Sequence, residues 1–324
     1  MKTPDAKNGF SRSKTSPRLP VRAVVKLART GLLALAVLVV GCNGTGGFGV
    51  RGVPPRDAAE AMQRINANLT KIEGALSCPA RVSFRFRDDQ GKDRRFLGHQ
   101  AMVIFRAPRC LYFDVKHALG GSVARIGSND ERYWIWIDTP ELRKLWHGSW
   151  AALESGAARP IAIPPDRLLD TLMMRPLPVW LDGAMNPLLR VNGNDHRLLF
   201  VGLDQHGWPY VKRELKLDPR PPYMPLEMID RNGDGHVLMH AHLRDYRRVK
   251  DSGPEGPFTP RSYVVYWEVD NTEMRLDLSN VKYRMSEVSF CEFPEGWEGE
   301  AESLDRPAGM ESDPVSESDS MKEK

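Results

Sequence analysis

The chain has 324 residues, 41% of them hydrophobic and 27% charged. This is a globular composition, which excludes a collagen-like or wholly disordered polymer, and no fixed-period repeat points to a solenoid or propeller. The net charge of +4 comes from 46 basic and 42 acidic residues that are unevenly spread, so it is judged by segment.

Residues 1–41 hold eight basic residues and one acid, a net +7. The uncharged apolar run Leu32 to Val40 follows, then Gly41 and Cys42. That run is too short to span a bilayer, which takes about 20 helical residues. A basic leader, a short apolar stretch and a small residue make a secretory signal. Val39-Val40-Gly41-Cys42 has the pattern of a bacterial lipobox, in which the cysteine is diacylated and becomes the new N-terminus. Cys42 is therefore the expected lipidation site. Each buried CH₂ contributes about 0.8 kcal/mol, so two or three chains anchor a protein durably where one does not. Residues 42–56, Gly-rich over Asn43 to Val50, read as a flexible tether. Asn43, in place of Asp, favours the outer membrane under the enterobacterial sorting rule. The expected location is the bacterial envelope, lipid-anchored and facing the periplasm.

Residues 57–291 form the folded domain. Arg56 to Ser77 reads as an amphipathic helix, with Met62, Ile65, Leu69, Ile72 and Leu76 on one stripe and Asp57 favouring its start. Strands follow. Arg81 to Arg87 alternates strictly, with Val82, Phe84 and Phe86 on one face. Further strands are expected at Phe96 to Phe105, Cys110 to Lys116, Ser122 to Ile126 and Arg132 to Asp138, with a corner at Gly120-Gly121. Residues 160–187 contain six prolines around one short helix, Asp166 to Met174. Strands resume at Leu188 to Val191, Arg197 to Leu203, Tyr210 to Leu217, Leu226 to Asp230, His236 to Tyr246, Arg261 to Val269 and Arg275 to Val281. Residues 292–324, with eleven acids and three bases, read as a disordered acidic tail.

Cys78, Cys110 and Cys291 allow one intrachain disulfide in any of three pairings, which export would permit. None has zinc-like spacing. Asp230 to Gly235 matches the first half of a calcium loop, but the twelfth position is Ala241, and Asn232-Gly233-Asp234-Gly235 is hairpin-turn chemistry. His236, His240 and His242 share strand parity. A His-x-His pair can chelate a metal, but Val237, Met239, Ala241 and Leu243 take the core face, so the histidines are read as a wet outer face. Trp134, Trp136, Trp146 and Trp150 cluster, with Tyr133 nearby, and suit either a core or an apolar ligand wall. No nucleophile elbow, zinc-protease motif or P-loop is present. No enzyme, cofactor, metal or nucleic-acid partner is expected.

The order of lipobox, tether, helix, meandering strands, Pro-rich segment with a short helix, and more strands resembles the LolA/LolB lipoprotein-carrier superfamily. Three stretches carry the likeness: Tyr112 to Ile126, Leu168 to Asn186 and Pro225 to Tyr246. The resemblance implies an α+β fold, a strongly curved antiparallel sheet (an incomplete β-barrel) with helices covering its concave face. It also implies a cavity that takes acyl chains, and Leu119 as the loop residue that helps deliver lipoproteins into a membrane. Strands at 261–290 and the acidic tail depart from LolB. The expected ligand-binding residues are Phe84, Phe86, Trp134, Trp136 and Leu119. The expected partners are the membrane, through the lipid anchor, an acyl-chain or lipoprotein cargo, and an envelope protein. The alternative reading is an envelope-assembly lipoprotein that uses the same fold as a protein-binding surface. By segment, the leader carries +7, residues 42–291 carry +5 and the tail −8, so the chain from Cys42 onward carries −3. That is not a nucleic-acid footprint.

Overall fold

A computed structural model describes residues 54–87, 92–117, 120–139, 143–159, 161, 163, 165–177, 185–268, 271–284, 290–294 and 300–306. Helix α1 spans Ala58–Leu69. Its start follows from local chemistry. The Asp57 side chain accepts from Glu60 N at 2.8 Å, and the Glu60 carboxylate reaches back to Arg56 N at 2.8 Å. That backbone donor, then Arg64, holds the Glu60 carboxyl down at about 2. The helix is shorter than its apolar stripe suggests. Strand β1, Ala75–Arg87, begins inside the span expected to be helical, with Gly74 at φ 78° just before it. Leu76 and Cys78 pair there with Phe105 and Val103. Long-range pairing overrides a local helical pattern that apolar spacing alone could not distinguish.

The first meander continues through β2 (Asp93–Arg106), β3 (Cys110–Lys116), β4 (Ser122–Ser128), β5 (Arg132–Asp138) and β6 (Arg143–Ser149). Helix α2, Trp150–Glu154, follows directly, capped by the Ser149 hydroxyl accepting from Ala152 N. Helix α3 is Pro165–Thr171. The second meander comprises β7 (Met185–Asn192), β8 (Asp195–Leu203), β9 (Pro209–Leu217), β10 (Pro225–Arg231) and β11 (Val237–Arg244). A small ribbon, β12 (Arg247–Arg248) with β13 (Phe258–Thr259), interrupts it before β14 (Ser262–Trp267) and β15 (Thr272–Leu278). β16 (Lys282–Arg284) pairs with the start of β1, and β17 is Glu300–Ser303.

Among the described residues the main sheet has 15 strands in the order β17-β6-β5-β4-β3-β2-β1-β15-β14-β11-β10-β9-β8-β7, with β16 beside β1. It is mostly antiparallel and, over those residues, does not close. β1 joins the two meanders, because its far edge takes β15 with Val82 opposite Leu276 and Phe84 opposite Met274. One sheet face and the apolar sides of α1 and α3 share a single core, in which Ile65, Leu69, Leu168 and Leu172 meet Val103, Phe113, Leu215 and Val265. No helix among the described residues is long and apolar enough to cross a membrane.

Two elements depart from the sequence reading. β6 falls where no strand was expected, because its polar and aromatic residues, Lys144, Trp146 and His147, hide a simple alternation. β17 lies within the span expected to be a disordered acidic tail. It pairs in parallel with β6, Glu302 ion-pairs with Lys144 and Arg159, Leu304 is buried, and Asp305 accepts from Ser149 N at 2.9 Å. Acidity read there as disorder is met by bases on the neighbouring elements. The disulfide joins Cys110 to Cys291, with Cα atoms 5.5 Å apart, and ties this C-terminal segment to the start of β3. Cys78 is left as a buried free thiol, pushed up to about 12 by burial.

Candidate functional site

The helix-bearing face is unusual in its sulfur content. Met62 of α1, Met173 and Met174 just after α3, and Met224, Met228, Met239 and Met274 from the sheet side are all buried in the shared core. Methionine is unbranched and polarisable, so a core rich in it repacks around a guest more readily than one of β-branched residues. Specific polar clamps hold the helices on this soft layer. The Asn66 side chain accepts from Leu177 N at 2.7 Å and donates to Leu177 O at 2.9 Å. Asn68 makes the same reciprocal pair with Phe258, at 2.8 and 2.9 Å. Tyr263 donates its hydroxyl to Leu172 O at 3.1 Å. An amide side chain carries both a donor and an acceptor, so each asparagine satisfies both backbone groups of one residue.

Arg213 on β9 forms the charged counterpart. Its Nε and Nη2 donate to the two Asp230 oxygens at 2.7 and 2.8 Å, and Nη1 donates to Asp170 of α3 at 2.7 Å. Arg175 also pairs with Asp170. Burial works to raise the Asp170 carboxyl, but Arg213 and then Arg175 outweigh it and leave it below its ordinary value. Asp230, the first residue of the calcium-like string, is thus engaged by Arg213. The rest of that string is a turn, with Gly235 N donating to Asn232 O at 3.0 Å and Asn232 N to His236 O at 3.0 Å.

Strand register separates the aromatic residues singled out in the sequence. Phe84 packs against the helix-bearing core, and Phe86 follows it on the same strand parity. Phe86 stacks on Phe96, with centroids 5.9 Å apart, near an exposed apolar tip where Phe96 is 43% and Leu97 73% accessible. Trp134 and Trp136 face the other way. Trp134 lies over Gly127, where a Cβ would come within 2.3 Å of its ring, and meets Phe293 edge-on at 5.6 Å. It is only 1% exposed. Trp136 takes the Arg125 guanidinium at 5.2 Å, and the same guanidinium lies over Tyr112 at 5.0 Å. Tyr133, one residue before Trp134, belongs to the helix-side core and packs on Trp150 at 5.3 Å. Cys42 and Leu119 lie outside the described residues.

A second cluster stands on the sheet face away from the helices. Glu227 of β10 is directly opposite His242 of β11, and His240 is two residues away on the same face. His240 Nε2 is 2.6 Å from Glu227 Oε1, and the two imidazole centroids are 4.4 Å apart. Burial, then the neighbouring His240, lowers the pKa of His242. The alternation of the two histidines was legible in the sequence. The carboxylate was not, because it comes from the adjoining strand across a hairpin.

No family model matches the sequence, and no curated protein does. Among solved structures, the chain is similar to a LolA superfamily protein from Nitrosomonas europaea, at 10% identity and a TM-score of 0.45, over 75% of this chain and 99% of that one. It is also similar to a domain assigned to outer membrane lipoprotein sorting from Vibrio parahaemolyticus, at 11% identity and a TM-score of 0.44, over 72% and 95%. A DUF1329 family protein from Desulfovibrio piger matches at 10% identity and a TM-score of 0.45, over 73% and 96%.

Proposed function

We propose that this chain is a lipid-anchored protein of the bacterial envelope that binds acyl chains, of lipids or of acylated lipoproteins, between the helix-bearing face of its sheet and the helices α1 and α3. The observation that carries the reading is the methionine-rich layer at that interface, which can yield to a flexible apolar guest while asparagine clamps and the Arg213 pairs keep the helices seated. On this reading the sheet is the incomplete barrel and the helices cover its concave side. Phe84 and Phe86 line the approach, the exposed apolar tip of Phe96 and Leu97 stands near Phe86, and Leu119 works at a membrane surface. Trp134 and Trp136 belong to the opposite face and fall outside the binding site. Cys42 carries the anchor, in the outer membrane facing the periplasm, and the protein acts by binding and handing over rather than by catalysis.

The test is lipid extraction and mass spectrometry of the full-length Cys42→Ala protein, purified without detergent, together with titration of a fluorescent fatty acid. Co-purifying phospholipid or saturable probe binding is expected. A protein that carries no lipid and binds no probe overturns the reading. A second reading, an envelope-assembly lipoprotein that docks a protein, is favoured by one observation. Among the described residues β7 is the last strand of the sheet and exposes Leu188 (57%) and Val191 (44%), and an apolar sheet edge is a template for an added strand. Crosslinking in cells from position 188 to one stable protein, with no bound lipid, would select it.

A further inference from the structure

We propose that Glu227, His240 and His242 bind one divalent late-transition-metal ion, of the Zn²⁺ class, on the sheet face opposite the helices. The ligand set is assembled by register. Residues two apart on a strand face the same way, so β11 presents both imidazoles together, while Met239, Ala241 and Leu243 are buried on the other side. The antiparallel pairing then sets Glu227 opposite His242. One ligand atom from each residue lies within 4.8 Å of the others. Bonds of about 2.0–2.2 Å place two ligands of a tetrahedral ion roughly 3.3 Å apart. The present 2.6 Å between His240 Nε2 and Glu227 Oε1 is the distance of a shared proton. A small rotation of either side chain exchanges that proton for a metal.

The chemistry of the set narrows the ion. Two neutral imidazoles and one carboxylate suit zinc, copper or nickel, whereas calcium and magnesium take oxygen ligands. Three protein ligands leave the fourth position to water or an incoming group, the arrangement of an exchangeable site rather than a closed structural one. The backbone is held on both sides, because β10 and β11 lie inside the sheet between β9 and β14. Both His240 and Glu227 are half-buried, with side chains 28% and 19% accessible, so the ion has a path from solvent. Lys216 and Arg244 act on His242 with like charge and weaken the site. Two further carboxylates on this face are already engaged, Glu214 by Arg197 and Arg231 and Glu273 by Arg275.

The experiment is calorimetric titration of the full chain, without an affinity tag, with ZnCl₂. One ion per chain is expected. His240→Ala and His242→Ala should each weaken binding by at least about tenfold, since each removes one of three ligands. Glu227→Gln should weaken it as well, while His206→Ala, in the turn between β8 and β9, should leave it unchanged. Diethyl pyrocarbonate mapping of the unmodified protein keeps the test decisive if a variant misfolds. Zn²⁺ should protect His240 and His242 but not His206. The proposal is overturned if no ion binds, if binding is unaltered in both histidine variants, or if the two histidines stay equally reactive with the ion present.

Discussion

Arg213 is the residue on which two elements depend, because it holds one carboxylate from α3 and one from β10. Removing one partner of a buried charge group leaves the rest uncompensated, so Arg213→Met should lower stability by about 3–5 kcal/mol, read by urea unfolding. The same variant should change the acid limit. In the parent, the lowered Asp170 carboxyl contributes stability above the unfolded carboxylate value of about 3.9, and this is lost only as pH falls through its lower folded value. Without Arg213, burial pulls in the opposite direction, and acid unfolding followed by circular dichroism should move to higher pH. Gly127 acts through space rather than charge. A Cβ there would meet the Trp134 ring at 2.3 Å, so Gly127→Ala should cost about 1–3 kcal/mol by overpacking. Neither effect could be read from the sequence. Arg213 sits in an ordinary charged strand, and the partner that crowds Gly127 is fixed by cross-strand register.

At the scale of elements, strands were the most legible feature. The bounds of β3 and β5 agree with the expected spans Cys110 to Lys116 and Arg132 to Asp138, and the Asn-Gly-Asp-Gly turn makes the β10–β11 hairpin as its chemistry requires. β6 and β17 were hidden, one by mixed polarity and the other by acidity; β6 is made by pairing with β5, and β17 by pairing with β6. The C-terminal segment behaves as a strap, fixed by the Cys110–Cys291 disulfide, by Asp305 on Ser149 and by Phe293 against Trp134. Cys291→Ser should therefore cost about 2–4 kcal/mol. It should also raise acrylamide quenching of tryptophan fluorescence, since Trp134 loses its cover. Unchanged quenching would show that β17 and Asp305 hold the strap unaided.

The lipobox reading predicts that Cys42→Ala abolishes incorporation of labelled palmitate and releases the protein from membranes on fractionation; labelling that persists would remove the anchor from the account. The sequence by itself determined the strand-rich composition of residues 75–284, the hairpin at Asn232–Gly235 and the outward parity of His240 and His242, because each depends on neighbours within a few residues. Only the tertiary structure decided that β15 joins β1, that Trp134 and Phe84 serve opposite faces, which cysteines pair, and that Glu227 stands beside the two histidines. The reason is physical. A period of two fixes which side chains share a face of one strand, but the partner strand and its register are set by contacts between residues far apart in the chain, where a shift of one residue would exchange every face.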